Sequence, residues 1–192
     1  PLILAIAEKP EPRTDFLHQY YPVEAQRHFS DKLMEMMGID RAYCGIGETE
    51  HPFTNGFNRW DVRITTHYME HDVASSMYSV IHEGGHALYE MGIADDLQFT
   101  CLGTGSSMGI HESQSRFYEN LIGRSFAFCQ ALLPVMRECF PEQMQDIDAE
   151  MLYRAVNLAH PSLIRTEADE LTYALHIMVR YELEKQLMSG DL

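Results

Sequence analysis

Apolar positions recur at helical spacing over much of this 192-residue chain. Between Pro22 and Met37 they fall at Phe29, Leu33, Met36 and Met37, one face of a helix that Pro22 opens and Gly38 closes. Asp72 suits the N-cap of a helix reaching about Met91, with Gly92 as its stop. Another helix starts near Ile110 and runs through HESQSRFYENLIG. Further helical segments cover about 125–140 and 147–160, and a last one runs from near Thr166 to about Met188. Thr166-x-x-Asp169 resembles a capping box at that start. The first twenty residues, punctuated by proline, give only a short-helix signal.

The period changes once. In DVRITTHY, Val62, Ile64, Thr66 and Tyr68 alternate with Asp61, Arg63, Thr65 and His67, which predicts a strand at a sheet edge. The stretch before it, 39–60, is rich in glycine and reads as loop, as does 92–109, with a second strand near Leu97 to Leu102. No internal repeat appears. The expected fold class is mainly α, with one or two short antiparallel strands.

One helix carries chemistry. VIHEGGHALYE places His82 and His86 four apart, on one helical face, where both imidazoles can meet a single ion. Two neutral imidazoles suit zinc, and Glu83 between them is within reach of a metal-bound water as general base. A solvated helix with two unrelated histidines is the competing reading. Gly84 and Gly85 each cost a helix about 1 kcal/mol relative to alanine, so their presence points to a close approach by another backbone. Met77, Val80, Ile81, Ala87, Leu88 and Met91 make the helix apolar around the motif, and buried histidines need partners.

A third ligand is then required, with one position left for water or substrate. Glu112, 26 residues beyond His86, completes a His-His-Glu set, with His111 as the competing candidate. Glu90, one turn past His86, is either a partner for a free imidazole N–H or a surface acid. For the developing oxyanion, His111, His51, Tyr173 and His176 all remain open.

Composition narrows the partners. Twenty-nine acids against fourteen bases give a net charge of −15, which argues against nucleic acid and against an anionic membrane surface. No apolar run is long enough to cross a bilayer, and the start shows neither a basic leader nor a cleavage site. Cys44, Cys101, Cys129 and Cys139 follow no metal-ribbon spacing, and reduced thiols in a cytoplasmic protein are expected.

Five motifs in chain order resemble the carboxypeptidase Taq family of thermostable metallocarboxypeptidases. They are HPF at His51 to Phe53, DVRIT at Asp61 to Thr65, HEGGH at His82 to His86, HESQSRFYEN at His111 to Asn120, and IRTEAD at Ile164 to Asp169. The resemblance implies a helical, thermolysin-like zinc-peptidase core that removes single residues from peptide C-termini. It implies His82, His86 and Glu112 as ligands of one zinc per chain, with cobalt also serving, and Glu83 as the base. It further implies a homodimer. Arg165 in IRTEAD is the candidate for gripping the free C-terminal carboxylate of peptide substrates, because a guanidinium does so bidentately; Arg63 is the weaker alternative. Members of the family are longer, so residues 1–192 are expected to be a single catalytic-core region, a truncated part of a longer helical metallopeptidase. A thermolysin-like endo- or oligopeptidase and an inactive metal-binding fragment are the alternatives.

Overall fold

The computed structural model describes residues 2–165 and 168–192. Among them are seven α-helices: α1 (Leu2–Ala7), α2 (Val23–Met36), α3 (Val73–Met91), α4 (Met108–Arg116), α5 (Phe126–Cys139), α6 (Ala149–Val156) and α7 (Glu170–Ser189). Three strands, β1 (Cys44–Glu48), β2 (Thr54–Asn58) and β3 (Asp61–Thr66), accompany them. The fold is mainly α, as the periodicity predicts. The chain divides into two compact units, 14–153 and a smaller one made of 1–13 and 154–192.

In the larger unit the sheet departs from expectation. DVRITT forms the central strand, not an edge, in the order β1-β3-β2. Its alternation holds from Val62 to Ile64, both buried, with Arg63 exposed between them and paired with Asp61. It fails at Thr65, which is buried where the alternation predicts an outward residue. β2 runs antiparallel to β3 with a register break between Gly56 and Asn58, whereas β1 runs parallel to it, Ile46 opposite Ile64. The two flanking strands read CGIGE and TNGFN. Glycine and asparagine carry no strand propensity, so pairing to β3 rather than local preference makes them strands.

Residues 97–102 hold no strand. A 3-10 turn, Asp95–Leu97, is followed by Phe99 at φ 61°, a left-handed conformation that interrupts any extended run. The Thr100 hydroxyl donates to the Leu97 carbonyl and tightens the bend (2.7 Å).

Helix ends follow capping chemistry. The Asp72 carboxylate accepts from Ser75 N at the start of α3, and the Ser107 hydroxyl accepts from Ile110 N at the start of α4. After Arg116 the helical ladder widens into a π-helix over Phe117–Ile122. The core beneath is aromatic: Phe140 meets Tyr21 and Phe29 edge-on, with ring centroids 4.9 and 5.2 Å apart.

Buried Gln26 ties α2 to the start of α3. Its amide donates to the carbonyls of Tyr21 and Met69, and its oxygen accepts from the Ser76 hydroxyl (2.7 Å). Every polar atom of that side chain is thus used, which is why it can be fully buried. Helix α3 is the centre of the unit. It packs against α2, α4, β2, β3 and the π-helix, and buries Met77, Val80 and Ile81, each worth roughly 1.5–3 kcal/mol.

The smaller unit contains α1 and α7. The Asp169 carboxylate caps α7, accepting from Leu171 N and Thr172 N (2.9 and 3.1 Å). The helix therefore starts at Glu170; Thr166, the other half of the expected capping box, lies outside the described residues. Ile177, Met178, Val179 and Leu183 of α7 are exposed. No described helix is long and apolar enough to cross a membrane.

Candidate active site

Helix α3 presents His82 and His86 one turn apart, their ring centroids 5.0 Å from each other. Helix α4 delivers Glu112 to the same place. Its Oε2 lies 3.2 Å from His86 Nε2 and 3.6 Å from His82 Nε2. One donor atom from each of the three residues falls within 4.8 Å of the other two. The competing ligand candidate, His111, has both ring nitrogens engaged elsewhere.

The glycine pair explains how α4 comes so near. A β-carbon on Gly85 would stand 2.7 Å from Ser115 Cα and 3.0 Å from the Gln114 carbonyl oxygen. Only a residue without a side chain lets the α4 backbone approach α3 at that point. Gly84 faces other neighbours: a β-carbon there would stand 2.7 Å from Met37 Cε and 3.1 Å from Ile39 Cδ1.

Glu83 is buried, and its Oε2 accepts from the Thr54 hydroxyl at 2.6 Å. Strand β2, invisible to the propensity reading, therefore reaches the HEGGH helix directly. A carboxylate so buried would be costly without a donor, and Thr54 supplies one.

Each histidine has a partner on the nitrogen turned away from Glu112. His82 Nδ1 is 2.7 Å from Glu119 Oε2. Glu119 lies seven residues after Glu112, two turns on, so both acids face α3; that offset was the available signal for a residue that sequence reasoning missed. Arg116 spans the two acids, its Nε donating to Glu112 Oε1 and its Nη1 to Glu119 Oε2, both at 3.1 Å. His86 Nδ1 meets His111 Nδ1 at 2.6 Å, and His111 Nε2 meets Glu90 Oε1 at 2.6 Å. Glu90 is thus a partner of His111, and the ring of His111 stands between it and His86.

The charges follow from these contacts. The His86 hydrogen bond, against some burial and aided by His82 and Arg116, holds the Glu112 carboxyl down to about 2. Burial works to lower the His82 pKa, but the hydrogen bond and charge of Glu119, with Glu112 and Glu83, outweigh it and raise the value. Burial likewise pushes Glu119 up, and His82, Arg116 and Arg124 more than reverse that. Two imidazole nitrogens and one carboxylate oxygen, each held from behind, fit a divalent ion and leave a further position for water.

Among the other expected residues of the larger unit, Arg63 and His51 take no part in these contacts. Arg63 is exposed on β3, ion-paired to Asp61 and stacked over Phe57 (4.9 Å). His51 is exposed. Arg165, with Tyr173 and His176, belongs to the smaller unit, where Arg165 Nη1 donates to the Tyr173 hydroxyl.

A helical chain with two histidines one turn apart and a glutamate from the next helix has the architecture of a metallopeptidase. More narrowly, the family described as carboxypeptidase Taq (M32) metallopeptidase matches residues 1–192, and the chain belongs to it. It is 44% identical to carboxypeptidase 1 of Bacillus subtilis (strain 168), covering 100% of this chain and 38% of that protein. With thermostable carboxypeptidase 1 of Thermus thermophilus it shares 45% identity, over 99% of this chain and 37% of that one. The crystal structure of M32 carboxypeptidase from Deinococcus radiodurans R1 superposes with a TM-score of 0.95 at 46% identity, covering 100% of this chain and 39% of that chain. Trypanosoma cruzi metallocarboxypeptidase 1 gives 0.87 at 35% identity, over 100% of this chain and 40% of that chain. The chain thus spans roughly two fifths of its relatives' length.

Proposed function

We propose that this chain carries the metal-binding core of a carboxypeptidase that hydrolyses the C-terminal peptide bond of peptides. The observation that carries the reading is the convergence of His82, His86 and Glu112 to within 4.8 Å, with Glu83 buried beside His82. Zinc, which cobalt can replace, is the ion this donor set suits, one per chain. Such an ion, when bound, supplies Lewis acidity that brings the pKa of a coordinated water toward about 7.

Glu83 acts as general base. Its carboxylate takes a proton from the attacking water, and its acid form returns one to the departing amine. The Thr54 hydroxyl restrains the rotation of that carboxylate (2.6 Å). Arg165 recognises the free C-terminal carboxylate of the substrate through its planar guanidinium. The four unpaired cysteines suit a reducing compartment, and we place the protein in the cytoplasm.

The test is peptide release by the zinc-loaded chain, followed by mass spectrometry on one peptide with a free and one with an amidated C-terminus. Glu83→Gln should keep about one zinc per chain while kcat falls sharply. Stepwise release from the free terminus alone supports the reading. Equal cleavage of the amidated peptide would make the protein an endopeptidase, and zinc without turnover an inactive metal-binding fragment.

A further inference from the structure

A three-member hydrogen-bonded chain, Glu90–His111–His86, runs away from the donor cluster. A His86 ring that is to give its Nε2 lone pair to an ion shared with Glu112 must carry its proton on Nδ1. That Nδ1–H can only donate, so His111 Nδ1, 2.6 Å away, must accept. A neutral His111 accepting on Nδ1 carries its own proton on Nε2, which points at Glu90 Oε1, also 2.6 Å away. The direction of every bond in the chain follows from the acceptor-only carboxylate at its end.

The surroundings are cut to hold these two side chains. Tyr89 meets the His111 ring edge-to-face at 4.8 Å. A β-carbon on Gly105 would stand 2.9 Å from His111 Cδ2 and 3.2 Å from Tyr89 Cε1. On the other side, a β-carbon on Gly56 of β2 would stand 2.9 Å from Glu90 Cγ. Two glycines from separate segments therefore make the room that His111 and Glu90 fill. Both side chains are largely shielded, 16% exposed each, so water competes little for their hydrogen bonds.

We propose that Glu90 and His111 are positioning residues that lock His86 in its Nδ1–H tautomer with Nε2 turned to the donor cluster. The proposal deepens the metal-site reading above and rests on His86 as a ligand. It differs from the ordinary pairing on His82, where a carboxylate touches the ligand ring directly. Here the carboxylate acts through a second imidazole, so both residues should be felt at His86.

Ring-nitrogen proton–nitrogen correlation spectra of the metal-free chain read the tautomer, and chelator competition reads zinc affinity. In the parent, His86 Nδ1 should be uniformly protonated. Glu90→Gln, whose carboxamide oxygen still accepts, should keep it so. Glu90→Leu and His111→Phe should both give mixed tautomers and weaken zinc about 10- to 100-fold. Glu90→Leu leaves the Tyr89 stack in place and covers the case in which His111→Phe does not fold. An unchanged His86 tautomer in the two disruptive variants overturns the proposal, as does zinc affinity within twofold of the parent in both. If the tautomer responds while even the parent binds no zinc, the positioning chain stands and the metal-site reading fails.

Discussion

Gly85 and Ser115 sit backbone to backbone: a β-carbon on the first would lie 2.7 Å from the α-carbon of the second. The two helices that carry the donor set are therefore in contact at a point one residue before His86 and three after Glu112. Any side chain there separates His86 from Glu112.

Gly84 and Gly85 should consequently respond differently to alanine. Both substitutions gain about 1 kcal/mol of helix propensity. At Gly84 the new methyl meets the flexible end of Met37 and the side chain can yield, leaving stability close to the parent's. At Gly85 it meets backbone, and overpacking of about 1–3 kcal/mol should exceed the propensity gain. Urea unfolding of the two metal-free variants decides; equal midpoints would refute the steric account. Gly85→Leu should be worse than either.

Glu119→Gln tests the carboxylate behind His82. Zinc should still bind at one per chain, about 10- to 100-fold more weakly, because the ring loses its charged acceptor but no ligand is removed. Competition with a chelator of known affinity reads this. An unaltered dissociation constant would mean that the 2.7 Å contact to His82 Nδ1 does nothing for the ion.

Thr54→Val leaves the Glu83 carboxylate buried without its hydroxyl donor. A hydrogen bond to a charged group contributes about 1.5–3 kcal/mol, so the variant should lose stability on that scale in denaturant titration. The released carboxylate should also lower kcat with little change in KM. Stability and kcat both equal to the parent's would show that Glu83 has another donor.

The metal-free protein should show an acid dependence traceable to Glu112. Its carboxyl titrates near 2 instead of the ordinary 4.5, so the ionised form is favoured by folding. That contribution is complete above pH 4.5 and is lost as pH falls toward 2. The stability difference between parent and Glu112→Gln should accordingly shrink over that interval. A difference that stays constant there would place the depressed pKa elsewhere.

Much of the site was legible because its signals are short-range. The i, i+4 histidines, the intervening Glu83, the caps Asp72 and Gly92, and the amphipathic faces of α2 and α5 are all written within single helices. The glycine pair also announced a close backbone approach, though not which helix makes it. What escaped was the chemistry of neighbours distant in sequence. β1 and β2 are strands only because β3 lies between them, so CGIGE and TNGFN carry no pattern to read. Thr54 and Glu83 are 29 residues apart, and no local rule joins them. His111 looked like a rival ligand because its side chain type was right; its placement behind His86 depends on how α4 docks. The π-helix at 117–122 is likewise a matter of packing, since six residues are too few to show a period.

His86 and Glu112 are 26 positions apart, and past the end of α3 the intervening chain contains only a 3-10 turn before α4. An ion shared between them would tie that segment into a closed ring, much as a disulfide would. Closing a ring of about 25 residues removes roughly 3–4 kcal/mol of chain entropy from the unfolded ensemble. The same ion that activates water would then also serve as a removable cross-link, and its loss should be felt first as faster amide exchange across residues 92–107.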